Sequence, residues 1–312
     1  MRFFSSKVLA CVALMMLCCL GCRANNGTSI SASEASASSA PRVKTTKKAA
    51  PKAAAQQNQV NTDNPQINVI TVKSAKMGRD IKNLVIVPKA VVDGDDTRYP
   101  VVYLLHGHGG SYVDWQAHTD LTKLANDYSM IFVCPDAQNA WYFDSPVDSR
   151  SQYETYVTKE LREYVEANYP TIYDAKHRAI TGLSMGGHGA LWLGWRHPDI
   201  YGSCGSMSGA VDIMTLKDRF DLDKVLGKYA QNHESWKEHS VINLVPNLKD
   251  GQNIIIDDGA QDFLIKENRA LHAALLDKGI KHQYSERPGR HAWAYWVASL
   301  PQHLNFFAKC FK

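Results

Sequence analysis

Cysteine is scarce in the body of this chain, and what there is suits neither a covalent nor a metal framework. Of seven cysteines, Cys11, Cys18, Cys19 and Cys22 fall in the first 22 residues, leaving Cys134, Cys204 and Cys310. Those three cannot all pair with one another, and they show no CxxC or Cys/His spacing of the zinc type. Cys134 and Cys204 sit in apolar, strand-like surroundings and read as buried thiols. No internal repeat occurs, which sets aside solenoids and propellers. A large charge of one sign is also missing: 35 Lys and Arg stand against 31 Asp and Glu. Even this excess lies outside the main body, because residues 1–60 hold eight basic residues and one acidic one (Glu34), leaving 27 basic against 30 acidic. The balance gives no reason to expect nucleic-acid binding.

The apolar run 8–20 is too short for a permanent membrane helix, which needs roughly 20 residues. With Arg2 and Lys7 ahead of it, residues 1–22 read as an export signal. The run ends Leu20-Gly21-Cys22. A small residue before Cys resembles the lipobox of bacterial lipoproteins, whose Cys becomes the acylated first residue. Cys19 stands three residues before Cys22 where Leu is usual. The expectation is therefore an exported, membrane-anchored lipoprotein of a bacterial cell envelope, lipidated at Cys22 and meeting the membrane only through that anchor. Residues 23–65 are rich in Ala, Ser, Lys, Asn and Gln without apolar periodicity, so they read as a disordered tether.

Residues 66–312 fit one α/β domain. Strand-like runs fall at 67–72, 84–88, 101–105, 130–134, 179–181, 202–206 and 253–256. Helical patterns fall at 153–168, 264–278 and 291–307. Strands alternating with helices predict a mostly parallel central sheet with helices on both faces. The polar stretch 212–247 is long for a connection and reads as a candidate small cap.

Chemistry enters at Gly182-Leu183-Ser184-Met185-Gly186, placed between a predicted strand and a predicted helix. This is the context of a G-x-S-x-G nucleophile elbow, where a strained turn lifts the Ser hydroxyl clear of the sheet. A serine hydroxyl needs a base, and in this arrangement the chain order is Ser, then acid, then His. The run Asp257-Asp258-Gly259-Ala260-Gln261-Asp262 and then Pro288-Gly289-Arg290-His291-Ala292-Trp293 supply both. His291 is the candidate base. His106 and His108 precede the serine, His188 lies inside the elbow helix, and His282 falls on a predicted strand. Among the acids Asp262 is the first choice and Asp258 the alternative, while Asp257 reads as a turn cap. The oxyanion donors are expected to be the Met185 N–H and the His108 N–H, the latter from His106-Gly107-His108-Gly109-Gly110, with Gly109 as alternative. That run lacks a third ligand at metal spacing, so no metal is expected. Trp141 and Gly109 are candidate substrate contacts, although Trp141 and Phe143 equally suit a plain core.

Leu104–Gly110 with Trp115, the elbow, Asp262-Phe263-Leu264 and 288–293 together resemble an esterase family. It includes esterase D, S-formylglutathione hydrolases, tributyrin esterases, feruloyl esterases and mycolyltransferases. The resemblance spans about residues 70–307. It implies the α/β-hydrolase fold, a Ser184–His291–Asp262 triad, oxyanion donors at His108 and Met185, and no cofactor. It also places Asp262 above Asp258. Asp257-Asp258 and Ala292 depart from the family pattern without touching the triad. The expected activity is serine carboxylester hydrolysis of short-chain or aromatic acyl groups, with a small ester or an acylated polysaccharide (acetyl or feruloyl) as substrate. Acyl transfer of the mycolyltransferase type and a non-catalytic carbohydrate-binding surface protein are the alternatives.

Overall fold

A strand that is apolar at every position must be covered on both sides. Val101–Leu105 and Ile131–Pro135 meet that condition, each buried at all five positions. In the computed structural model, which describes residues 63–312, they lie within an eight-stranded sheet. The expected signal, Cys22 and the tether as far as residue 62 lie outside the described residues. In chain order the strands are β1 (Ile67–Ser74), β2 (Arg79–Ile86), β3 (Val101–Leu105), β4 (Ile131–Pro135), β5 (Arg178–Leu183), β6 (Ser203–Met207), β7 (Asn253–Gly259) and β8 (Gln283–Arg287). Their order across the sheet is β1-β2-β4-β3-β5-β6-β7-β8. β1 and β2 form an antiparallel hairpin, β2 runs antiparallel to β4, and every later pairing is parallel. After β3 the chain goes to β4 on one side, then crosses to β5 on the other. The crevice beyond the carboxyl ends of β3 and β5 is thus a topological switch point, where such sheets bind ligands.

Successive strand side chains point to opposite faces, and the sheet feeds two cores. Val101, Tyr103 and Leu105 of β3 face one core, Val102 and Leu104 the other. The first core is covered by the helical stretch 153–168, by helix Met185–Arg196 and by helix Ile265–Lys278, through residues such as Tyr156, Leu161, Leu191, Leu271 and Leu275. The second is covered by helices Asp114–His118, Leu121–Tyr128 and Trp293–Cys310. Trp296, Leu300, Leu304 and Phe307 recur at three- and four-residue steps, so one face of that last helix is buried. Each such side chain contributes about 1.5–3 kcal/mol on burial.

Several boundaries differ from the sequence reading. β2 begins at Arg79 rather than 84, because pairing with β1 runs to Ser74↔Arg79. β7 extends to Gly259, so Asp257 and Asp258 are strand residues and not part of a loop. His282 precedes β8 and is not on it; its Nε2 meets His272 Nδ1 at 2.7 Å. The two short helices between β3 and β4 were not anticipated. Segment 212–247 is a chain of short helical turns whose Ile213, Leu222, Trp236 and Val241 join the first core, so it is fastened down as part of the domain. Among the described residues Cys134, Cys204 and Cys310 form no disulfide, and burial pushes the first two thiols well above the usual thiol range.

Candidate active site

Ser184 sits between β5 and helix Met185–Arg196 with φ 55° and ψ −116°, a conformation that costs a non-glycine residue about 1–3 kcal/mol. The surroundings enforce it. Ser184 N–H donates to Met207 O at 3.0 Å, and Ser184 O accepts from His188 N–H at 3.0 Å and Ala210 N–H at 3.2 Å. The turn closes only because its flanking residues lack side chains. A Cβ on Gly182 would lie 2.6 Å from Gly186 O, and one on Gly186 would lie 2.4 Å from Leu105 O.

The hydroxyl so presented meets the predicted histidine. His291 Nε2 lies 2.8 Å from Ser184 Oγ, although 107 residues separate them. On the other side of the ring, Nδ1 lies 2.8 and 3.0 Å from the two oxygens of Asp262. Phe263 and Trp296 pack on the imidazole at centroid distances of 4.7 and 4.9 Å. Asp262 is oriented in turn by the Leu264 N–H at 2.9 Å. Burial pushes its carboxyl upward, but the hydrogen bond and charge of His291, with the Leu264 N–H, outweigh this and hold it below the usual carboxylate range.

The neighbouring aspartates do other things. Asp258 is fully buried, with Oδ1 accepting its neighbour's Gly259 N–H at 2.7 Å. Burial first, and then the charge of Asp262, push it up to about 8. Two adjacent buried carboxyls do not both ionise readily, so Asp262 keeps the charge and Asp258 the proton. Asp257 is not a turn cap, as the sequence suggested. Its Oδ2 accepts from Arg287 Nη2 at 2.6 Å within the sheet. Burial still raises it to about 6, against the pull of Arg287.

The glycine-rich loop 107–110 borders the same site. Gly109 N–H is already committed to Asn139 Oδ1 at 2.7 Å, which removes the alternative oxyanion donor. Among the described residues no protein acceptor engages the backbone N–H of His108 or of Met185. Two other histidines are buried and structural. His106 is buried, its Nδ1–H donating to Gly107 O at 2.8 Å while Nε2 accepts from Ala137 N–H at 3.0 Å. His188 is buried against Trp141 and Phe143, with Nε2 at 2.8 Å from His239 O; burial lowers it to about 3. Trp141 is both a core side chain and a cleft wall.

The cleft has a volume of about 480 Å³. Ser184 and His291 lie in it, with Trp141, Leu216, Phe220, His118, Trp293 and Trp296 among its lining. His118 and Trp293 stack at 3.9 Å. Leu216 and Phe220 belong to the stretch 212–247 that the sequence marks as a candidate cap, but which of its residues reach the cleft was not readable, since short turns carry no periodicity. Asp221 was missed for the same reason, 113 residues from the His108 ring that it meets. Among the described residues no group of three His, Cys, Asp or Glu side chains is placed to hold a metal ion.

The profile of a family described as Putative esterase matches residues 74–307. The chain is 28% identical to an acetyl esterase of Caldicellulosiruptor saccharolyticus over 230 residues, covering 70% of this chain and 86% of that one. It is 24% identical to the S-formylglutathione hydrolase of Bos taurus over 237 residues, covering 67% and 83%. A solved ferulic acid esterase superposes with a TM-score of 0.69 at 30% identity, covering 79% of this chain and 98% of that one.

Proposed function

Because the chain belongs to the Putative esterase family and is a carboxylic ester hydrolase, we propose that Ser184, His291 and Asp262 are its catalytic triad. We further propose that its substrates are short-chain or aromatic acyl esters, including acetyl or feruloyl groups on polysaccharide. One observation carries the triad: the unbroken hydrogen-bond chain Asp262–His291–Ser184, ending on a serine that lines the cleft.

Each group has a defined task. Ser184 Oγ attacks the ester carbonyl carbon as its proton passes to His291 Nε2. Asp262 holds the ring with Nδ1 protonated and stabilises the imidazolium. Met185 N–H, at the start of a twelve-residue helix, and His108 N–H receive the developing oxyanion. As the tetrahedral intermediate collapses, the C–O bond to the alcohol breaks and the alkoxide leaves with the proton from Nε2. Water then attacks the acyl-enzyme and gives its proton to Nε2. The second tetrahedral intermediate releases the carboxylic acid, and Ser184 regains its proton.

The aromatic cleft lining supports an acyl group of modest size, and relatives named acetyl esterase and ferulic acid esterase support the substrate class. The test is turnover of nitrophenyl esters of rising acyl length and of acetylated and feruloylated xylan, beside Ser184→Ala. The reading expects turnover of the short or aromatic esters, release of acid from xylan, and loss of both in the variant. Turnover surviving in Ser184→Ala contradicts the mechanism, and wild type active on nitrophenyl esters alone contradicts the polysaccharide assignment.

A further inference from the structure

Loop 107–110 contains three glycines in four residues, and Gly109 takes φ +76°. Such a backbone has many conformations open to it. Yet an oxyanion donor is useful only where it is pre-aligned. Something outside the loop must hold it, and two residues from distant parts of the chain do so. Asn139 Oδ1 accepts the Gly109 N–H at 2.7 Å. An amide side chain can present either end. Here the other end is fixed, because Asn139 Nδ2 donates at 2.8 Å to Asp221 Oδ2, and an ionised carboxylate only accepts. The same oxygen takes the Nε2–H of His108 at 3.1 Å. The peptide joining His108 to Gly109 is thus tied from both sides, by the His108 ring and by the Gly109 N–H. The His108 N–H itself is left for a ligand.

We propose that Asp221, through Asn139 and His108, is a positioning residue that aligns the oxyanion side of the active site, an inference that rests on the esterase reading above. The backbone around Asp221 is shaped for this. Phe220 and Asp221 both lie in the left-handed region, at φ 57° and 59°, and Trp141 at φ 58° donates its indole N–H to Phe220 O at 2.9 Å. Strain of this kind persists where surrounding contacts over-determine it. The second oxygen of Asp221 faces outward, 2.7 Å from an exposed Lys224 ammonium. The bond from Lys224 and, against partial burial, those from His108 and Asn139 draw the Asp221 carboxyl down to about 2, so it stays ionised.

The test compares full-chain Asp221→Ala, Asp221→Asn, Asn139→Ala and Lys224→Ala with wild type, using nitrophenyl acetate as substrate and an alkylboronic acid as a tetrahedral analogue. Misplacement of a donor by about 1 Å costs up to roughly 100-fold in rate. Asp221→Ala and Asn139→Ala should therefore lower kcat by about 10- to 100-fold with KM within about threefold, and weaken the boronate by a matching factor. Asp221→Asn should recover part of the loss. Lys224→Ala, which removes only the solvent-side partner, should stay within about twofold of wild type, as is usual for an exposed ion pair. Should Asp221→Ala fail to fold, Asn139→Ala carries the same expectation. The inference is overturned if the alanine variants keep wild-type kcat, if only KM rises, or if kcat falls while boronate affinity does not. A wild-type enzyme that turns over no ester overturns the esterase reading instead.

Discussion

Asp258 and Asp262 are four residues apart, both buried, and chemically identical, yet their surroundings give them opposite states. His291 and a backbone N–H face Asp262 and stabilise its charge; Asp258 has burial and a charged neighbour, and takes a proton. Asp262→Asn should lower kcat on nitrophenyl acetate by roughly 10⁴-fold, since the imidazole tautomer is lost. Asp258→Asn, measured the same way, should fall by less than about tenfold, because it replaces a protonated carboxyl by a similar neutral group. Stability has its own signature. Asp258 is ionised in the unfolded chain above about pH 4 but protonated in the fold up to about 8, so folding takes up a proton and stability falls as pH rises through that window. Buried neutral His188 and His303, lowered to about 3, act oppositely and cost stability as pH falls below about 6.5. Denaturation against pH should therefore show a maximum near neutrality and a decline toward pH 8. Asp258→Asn should lose that decline; an unchanged slope contradicts the assignment.

The elbow is the element on which the site depends, and it was legible because each of its parts has a steric reason. Gly182, Ser184 and Gly186 appear at fixed spacing between a strand and a helix, and the structure shows what a side chain at either glycine would strike. Gly186→Ala would set a Cβ against Leu105 O at 2.4 Å. Overpacking of this kind typically costs about 1–3 kcal/mol. Thermal denaturation should register a lowered Tm, and activity should fall with it, because Leu105 leads straight into the His106–Gly110 loop. A variant with unchanged Tm and activity would mean that the turn is looser than described. Loops were read less well. Asp262 was favoured through resemblance, whereas its geometry follows from β7 carrying Asp257 and Asp258 into the sheet and leaving only Asp262 beneath His291. Nothing local in the sequence around Asp221 marked its contact with His108, because that contact is made by tertiary packing of short turns.

At the scale of the molecule, the continuous apolar runs of β3 and β7 specified a sheet buried on both faces, and strand–helix alternation specified its parallel core. The switch point between β3 and β5 then places loop 107–110, the elbow and the His291 loop around one cleft. Strand ends and the fastening of segment 212–247 were not readable, since both depend on partners far along the chain. What the whole assembly exists to do, in this account, is form and hydrolyse an acyl-enzyme on one serine. The direct measurement is rapid quenching of the full chain with nitrophenyl acetate, followed by mass spectrometry of its peptides. A burst of nitrophenol equal to the enzyme present and an acetyl group on the peptide holding Ser184 are expected, both absent from Ser184→Ala. Acetyl on another residue, or a burst that survives in Ser184→Ala, would contradict an acyl-enzyme on that serine.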